Sequence, residues 1–571
     1  MINALLNGLS LSGRAALFLS REVRGMHAAA YVLGFSALIS SLLALLRDRL
    51  LAHTFGAGIE LDLYYAAFRI PDLLFVALGA LVSVYVLIPV LAGRSDKEQR
   101  DYIDTVVTGF SIFAAVASVV AAVAAPYLLR MFFPTLAIGE TLSALVLLTR
   151  VLLLQPILLG LSNIVAAITQ YKHRYTLYAL APIVYNVGII MGIAWFYPAL
   201  GLVGLVLGVV AGALFHLGIQ LPTAFADGFF RSLPRFTEMS VLFKTARISI
   251  PRALALSMSQ LSFLGLLIIA GGLPTGSISI FMFAFNLQAV PLAIIGASYS
   301  VAAFPTLATL SKNGSGEFLN YVATAARHVL FWSMPALALM IVLRAHAVRA
   351  ILGSGEFDWT DTRLTAAAFA LFALSLAAQG ITLLLVRAYY ASGKTAFPLI
   401  VATGTAIVTV LASVLFITTF ENDFIISFIE AVLRVENVFG AEMLALPLAY
   451  ALAAICGAFV LAIHFNWQHP GFFSAIVNAF WESVTAGFFA GVAAYGSLVV
   501  LGTVTLSSTL ASVLIRGGIA GVVGIAAAAY VYYLLNSREF AEAVQAVRRR
   551  MWRDVEPVSS AEGAGTGIPR A

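Results

Sequence analysis

Ionisable and amide side chains are scarce in this chain, so those that fall inside long apolar runs are the first candidates for chemistry. Arg47, Asp48 and Arg49 stand together, followed by Asp62, Arg69 and Asp72. Further along come Arg150, Arg252, Gln260, Asn286, Gln288 and Arg387. An arginine stays ionised, and its planar fork donates paired hydrogen bonds, so this set suits the binding of a phosphate-like anion. It does not suit catalysis. No nucleophile–base set stands out, the eight histidines are scattered without metal-ligand spacing, and the one cysteine, Cys456, lies in an apolar run. No enzyme activity, metal or cofactor is therefore expected. Each candidate also has a plainer reading. Arg47 and Arg49 could snorkel to a membrane interface, Arg387 could pair with lipid headgroups, and Asp62 could simply neutralise Arg47 or Arg69. Asp62 and Arg69 are seven residues apart, which on a continuous helix places them on one face. Taken together the groups favour a cavity sealed from lipid, because an ionisable side chain at the centre of a span costs at least ~2.5 kcal/mol.

The elements that must position these residues are membrane spans. The chain has 571 residues, of which 61% are hydrophobic and 11% charged, with a mean hydropathy of +0.98. A soluble domain carries about 25% charged residues, so an all-α polytopic membrane protein is expected. Fourteen spans of about 20 residues or more can be read. They cover 31–50, 62–92, 104–132, 141–170, 176–198, 201–222, 244–270, 277–310, 320–346, 363–391, 396–419, 441–464, 477–502 and 510–535. Two of them carry the same pattern. A shift of 217 sets Ala67 on Ala284, Phe68 on Phe285, Gly79 on Gly296, Ala80 on Ala297, Ser83 on Ser300 and Val84 on Val301, and one slip sets Pro89 on Pro305. Such a duplication indicates two homologous, pseudo-symmetric lobes, an architecture that transporters use. In-span prolines such as Pro71, Pro182, Pro291 and Pro335, with 45 glycines in the whole chain, suit bending and close helix contact.

Loop charge predicts the orientation. The net charge of +6 is concentrated in short loops and at the C-terminus, as membrane topology alone requires. Loops 93–101, 170–176, 226–236, 310–318, 392–395 and 464–471 hold most of the Lys and Arg outside spans, so they and both termini are expected in the cytoplasm. The segments follow. Residues 1–27 are an amphipathic N-terminal segment and 28–225 the N-lobe with spans 1–6. Residues 226–440 hold spans 7–11 and an acidic external helix at 420–440, and 441–465 form span 12. Residues 477–536 hold spans 13 and 14, and 537–571 a basic cytoplasmic helix and a disordered tail. The arginines of 538–553 read as a topology signal lying on anionic lipid, or as a docking helix for a cytosolic partner.

The run RDRLLAHTFGAG-x3-D-x5-FRIPD at 47–72 resembles the opening of the lipid II flippases, the MurJ/MviN family of the multidrug/oligosaccharidyl-lipid/polysaccharide exporter superfamily. Further similarities follow in order: Ala181-Pro182-x3-Asn186, Gln220-Leu221-Pro222, Ser257-x-Ser259-Gln260, Phe304-Pro305-x-Leu307, Gly355-Glu356-Phe357, and Arg387-Ala-Tyr-Tyr-Ala with Lys394-Thr395-x2-Pro398. Their order and spacing extend from residue 31 to about 535.

The resemblance implies two six-span lobes plus two extra spans, and alternating access around a cationic cavity in the bacterial cytoplasmic (inner) membrane. It implies export of the polyprenyl-diphosphate-linked peptidoglycan precursor lipid II for cell-wall synthesis. Spans 13 and 14 would form a groove for the lipid tail, and coupling would come from ions or membrane potential. The chain contains no GxxxxGK[ST] loop for ATP. On this reading Arg47 holds the diphosphate and Asp62 orients or releases Arg47. Arg69, Arg252, Asn286 and Arg387 line the cavity, with Gln260 at the lobe interface. Partners would be the lipid-linked glycan, membrane lipids and cell-wall synthesis or division proteins, with no nucleic acid, and the protein would act as a monomer. The chain also departs from the family. Ser41, Phe75 or its neighbour, and Asn286 stand where cavity arginines are usual, and span 11 has neither Asp nor Asn for a sodium site. Arg150, Arg252 or Arg387 would compensate. Otherwise the protein exports another lipid-linked oligosaccharide or a drug, or is a non-transporting membrane scaffold with this fold.

Overall fold

A computed structural model describes residues 26–551 except 83–86, 89, 92–93, 173, 238–239, 241–256, 312–314, 503 and 506–507. Among the described residues every regular element is helical. The first lobe is built from α1 (Met26–Phe55), α2 (Ile59–Ala67), α3 (Arg69–Leu81), α4 (Asp96–Phe132), α5 (Gly139–Leu152), α6 (Leu154–Tyr171), α7 (Tyr175–Met191) and α8 (Leu202–Gly218). The second is built from α9 (Ser257–Gly271), α10 (Ser277–Leu292), α11 (Ser298–Leu310), α12 (Ser315–Val342), α13 (Arg344–Ile351), α14 (Trp359–Ala373), α15 (Leu376–Ala391), α16 (Ala396–Phe420), α17 (Asp423–Leu433) and α18 (Ala445–Gln468). Then come α19 (Phe472–Leu501), α20 (Leu510–Leu534) and α21 (Arg538–Met551). Among the described residues ten helices are long and apolar enough to cross a membrane, and the bent pair α14–α15, counted as one span, makes an eleventh. Of the fourteen expected spans, the first falls on α1 and the second on the broken pair α2–α3. The seventh lies partly outside the described residues, as do Arg252, most of the N-terminal segment and the C-terminal tail.

Span 2 is not the continuous helix that the Asp62–Arg69 spacing assumed. It restarts at Arg69 because Pro71 has no N–H to give to the Ala67 carbonyl. The Thr149 hydroxyl of α5 donates to that carbonyl instead, at 3.3 Å, which keeps the break satisfied without water. The second copy of the repeat stays continuous past Pro291 and takes up its irregularity as a π turn at Ala293–Ala297. Small residues set the packing. A Cβ on Gly192 would sit 2.7 Å from the Cα of Gly208, so α7 and α8 meet backbone to backbone. Helices α19 and α20 lean on α12 of the second lobe through Phe331, Ala486, Ala490, Ala528 and Tyr532. The α21 helix is held to α12 by Glu539 at 2.9 Å from Arg327 and by Glu542 at 3.1 Å from His328.

Candidate functional site

The lobes are tied together at one end, the end that loop charge predicts to be outer. Arg49 donates to the carbonyls of Ala350 and Ile351 at 2.8 and 3.1 Å, closing the C-terminus of α13. The amide of Glu356 donates to His53 O at 3.0 Å, and the amide of Ala57 to Asp361 Oδ2 at 3.0 Å. Thr135 donates to Gly271 O. Two glycines permit this approach. Gly276 (φ +93) and Gly355 (φ +60) are left-handed, and a Cβ on either would run into a backbone carbonyl of the first lobe, Ala57 or His53.

Asp62 is the centre of this junction. It is 2% exposed, and it accepts from Gly276 N (2.6 Å), Ser279 N (2.8 Å) and Ser279 Oγ (2.6 Å). A carboxylate of one lobe thus caps the N-terminus of α10 in the other, where free N–H groups and the helix dipole favour negative charge. This corrects the role expected for Asp62. It orients neither Arg47 nor Arg69, because both of its oxygens are taken by donors of the other lobe.

Below the junction Arg47 is paired with its neighbour. Its Nε and Nη2 donate to Asp48 Oδ1 at 2.9 and 2.7 Å, and its Nη1 to Asn186 Oδ1 at 3.3 Å. Asn286 of the second lobe donates to the other oxygen of Asp48 at 3.1 Å, so the arginine's counter-ion bridges the lobes. Arg69 is buried, donates to Tyr65 O at 3.0 Å, and lies 3.2 Å from Asp72 and 5.4 Å over the ring of Phe263. Arg47, Arg69, Tyr65, Tyr185 and Asn286 enclose a chamber of about 140 Å³. Arg69 and Asn286 also face a second cavity of about 580 Å³, lined further by Asp72, Gln260, Gln379, Thr405, Thr409, Tyr450 and many apolar side chains.

The structure therefore brings together Arg47, Arg69 and Asn286 in the small chamber, and Arg69, Asn286 and Gln260 in the larger cavity. It sets Asp62 apart at the lobe junction and leaves Arg252 outside the described residues. Arg387 is half-buried on α15 and lines neither cavity. Arg150 is exposed on α5, donating to Ala122 O at 3.1 Å, so it does not compensate for the missing cavity arginines. Gln379, Tyr450 and Ser279 are not among the residues the sequence points to, and it names Asp48, Asp72 and Asn186 without the partners they have in the structure. For Ser279 a signal existed: the 217-residue shift of the repeat carries Asp62 onto it. Pseudo-equivalent positions can touch only near the axis relating the lobes, and this pair does. Among the described residues no group of His, Cys, Asp or Glu could hold a metal ion.

Two lobes joined at one end over a shared cavity define a multi-pass membrane transporter of the two-lobed exporter type. The sequence narrows this further. Residues 51–425 match the family model for the lipid II flippase MurJ, and the chain belongs to that family. It is 27% identical over 361 residues to a probable lipid II flippase MurJ of Thermotoga maritima, covering 63% of this chain and 73% of that one. It is 26% identical over 404 residues to the lipid II flippase MurJ of Burkholderia cenocepacia, covering 68% and 77%. In fold it is similar to a solved lipid II flippase MurJ in an inward closed conformation (TM-score 0.71, 20% identity, 88% of this chain and 99% of that one). It is also similar to an inward-facing multidrug MATE transporter (TM-score 0.62, 14% identity, 78% and 99%).

Proposed function

We propose that this protein moves the polyprenyl-diphosphate-linked peptidoglycan precursor lipid II from the inner to the outer leaflet by alternating access. The observation that carries the reading is the pair of arginines, half-buried Arg47 and buried Arg69, in a cavity between lobes latched at one end by the described hydrogen bonds. With both termini cytoplasmic, that end is periplasmic, and the cavity takes up cargo from the cytoplasmic side. The diphosphate would displace Asp48 from Arg47 and so break the Asp48–Asn286 bridge between lobes. Opening would then follow from exchange of one anion for another rather than from relief of repulsion between bare cations. Helices α19 and α20 would hold the lipid tail. The protein performs transport without catalysis or a cofactor, acts as a monomer, and draws on an ion gradient or the membrane potential. Cell-wall synthesis or division proteins would be its neighbours.

The absence of charge at Ser41, Phe75 and Asn286 favours a second reading, export of another polyprenyl-linked glycan. Arg47→Ala, expressed at wild-type level, should fail to complement a flippase-depleted strain, and normal growth overturns the role of Arg47. Native mass spectrometry of the purified protein separates the cargoes by the mass of the retained lipid.

A further inference from the structure

Helix α17, between α16 and α18, has three distinct faces. Ile425, Ile426, Ile429 and Leu433 pack on the protein core. Asp423 and Ser427 are exposed on a second face. On the third, Phe424, Phe428 and Val432 are 80%, 60% and 58% exposed at successive i, i+4 positions. A helix with one face on protein, one polar and one apolar yet uncovered fits the boundary between water and lipid. In the preceding α16, a helix long and apolar enough to cross a membrane, Leu411, Val414 and Leu415 are likewise uncovered.

The C-terminus of α17 is tied to the lobe junction. Arg344 donates to Leu433 O at 3.2 Å, and Arg363 to Arg434 O at 2.8 Å. Arg344 opens α13, whose last carbonyls receive Arg49 of the first lobe. Arg363 lies two residues past Asp361, which receives the Ala57 amide. Arg434 in turn reaches Tyr495 OH of α19 at 3.2 Å.

We infer that α17 is a bilayer anchor: Phe424, Phe428 and Val432 insert among the acyl chains of the adjacent leaflet, and the two arginines hold the second lobe's half of the junction to the membrane surface. The partner is the phospholipid bilayer itself.

The test uses the full-length protein with Cys456→Ala and single cysteines at 424, 428, 432, 423, 427, 425 and 429. Each is spin-labelled in vesicles of phosphatidylethanolamine and phosphatidylglycerol, and collision with oxygen and with a water-soluble nickel chelate is measured. Labels at 424, 428 and 432 should collide with oxygen and escape nickel, those at 423 and 427 should do the reverse, and those at 425 and 429 should meet neither. Nickel access at 424, 428 and 432 equal to that at 423 overturns the proposal in favour of a water-exposed helix. Exclusion of both reagents there overturns it in favour of a protein cover. The anchoring role is read separately. In Phe424→Glu/Phe428→Glu, the distance between labels at Glu60 and Glu356, on opposite sides of the junction, should broaden towards longer values, and an unchanged distance in a folded protein overturns that role.

Discussion

Replacing Asp62 should open the latched end without unfolding either lobe. Its carboxylate receives two backbone amides and one hydroxyl, all from the other lobe. In Asp62→Ala the hydroxyl of Ser279 can turn to another acceptor, but the amides of Gly276 and Ser279 stay buried without partners while the lobes remain together. A buried unsatisfied donor costs about 1–3 kcal/mol, and loss of a charge at a helix N-terminus about 0.3–2 kcal/mol. In the open form water reaches the same amides, so the penalty falls on the closed form alone. Two such donors and the lost charge sum to about 2–8 kcal/mol, which shifts the closed-to-open ratio by about two to six powers of ten, at about 1.4 kcal/mol per tenfold. Asp62→Asn should act in the same direction, because its NH₂ group must face one of the two amide donors. Pulsed electron paramagnetic resonance between labels at the exposed Glu60 and Glu356 measures the ratio directly. Wild type should give one short, narrow distance and Asp62→Ala mainly a longer one. Ser279→Ala, which removes only the hydroxyl, should produce a much smaller shift of about 0.5–1.5 kcal/mol. A distance distribution unchanged in a folded Asp62→Ala protein would refute the latch.

Two further outcomes are expected. Gly276→Ala should open the same end, since the new Cβ is driven against the Ala57 carbonyl from a φ of +93 that Ala adopts only with strain, about 1–3 kcal/mol; the same pair of labels reads it. His469, just past the end of α18, has a pKa pushed below the ordinary histidine value, first by burial and then by the positive charge of Lys394. The fold therefore favours its neutral form. Its contribution to stability is present above about pH 6.5, the unfolded value, and is lost as pH falls through the lower folded value. The melting temperature of the solubilised protein should decline less on acidification in His469→Gln than in wild type.

The features legible in the sequence were those carried by local composition and by the repeat. Apolar length marks ten or eleven of the expected fourteen spans among the described residues, and within 420–440 the helix is the shorter α17, Asp423–Leu433. The basic C-terminal helix appears as α21, because capping residues and amphipathic spacing act within one helical turn. Arg47, Arg69 and Asn286 line the small chamber, and Gln260 joins Arg69 and Asn286 in the larger one. The pairing of charges was not legible. Arg47 takes Asp48, its immediate neighbour, and Arg69 takes Asp72, three residues on, whereas spacing favoured Asp62. That expectation failed because both oxygens of Asp62 are taken by Gly276 and Ser279 of the other lobe, and Arg69 pairs with Asp72.

The repeat carries more information than the existence of two lobes. Asp62 meets Ser279, and Arg69 shares a chamber with Asn286; both pairs are related by the same 217-residue shift. Each has a charge in the first copy and a neutral hydrogen-bonding group in the second. Identical residues there would set two carboxylates, or two guanidinium groups, against each other at the lobe interface, which is costly out of water. Where the two copies touch, at Asp62 and Ser279, they are complementary rather than alike. On that argument, restoring charge in the second copy with Asn286→Arg should either recruit an additional anion to the small chamber or weaken the closed state. Which of the two occurs can be read from the same distance measurement with and without added diphosphate. A closed distance that is indifferent to both the substitution and the anion would show that the chamber does not sense charge.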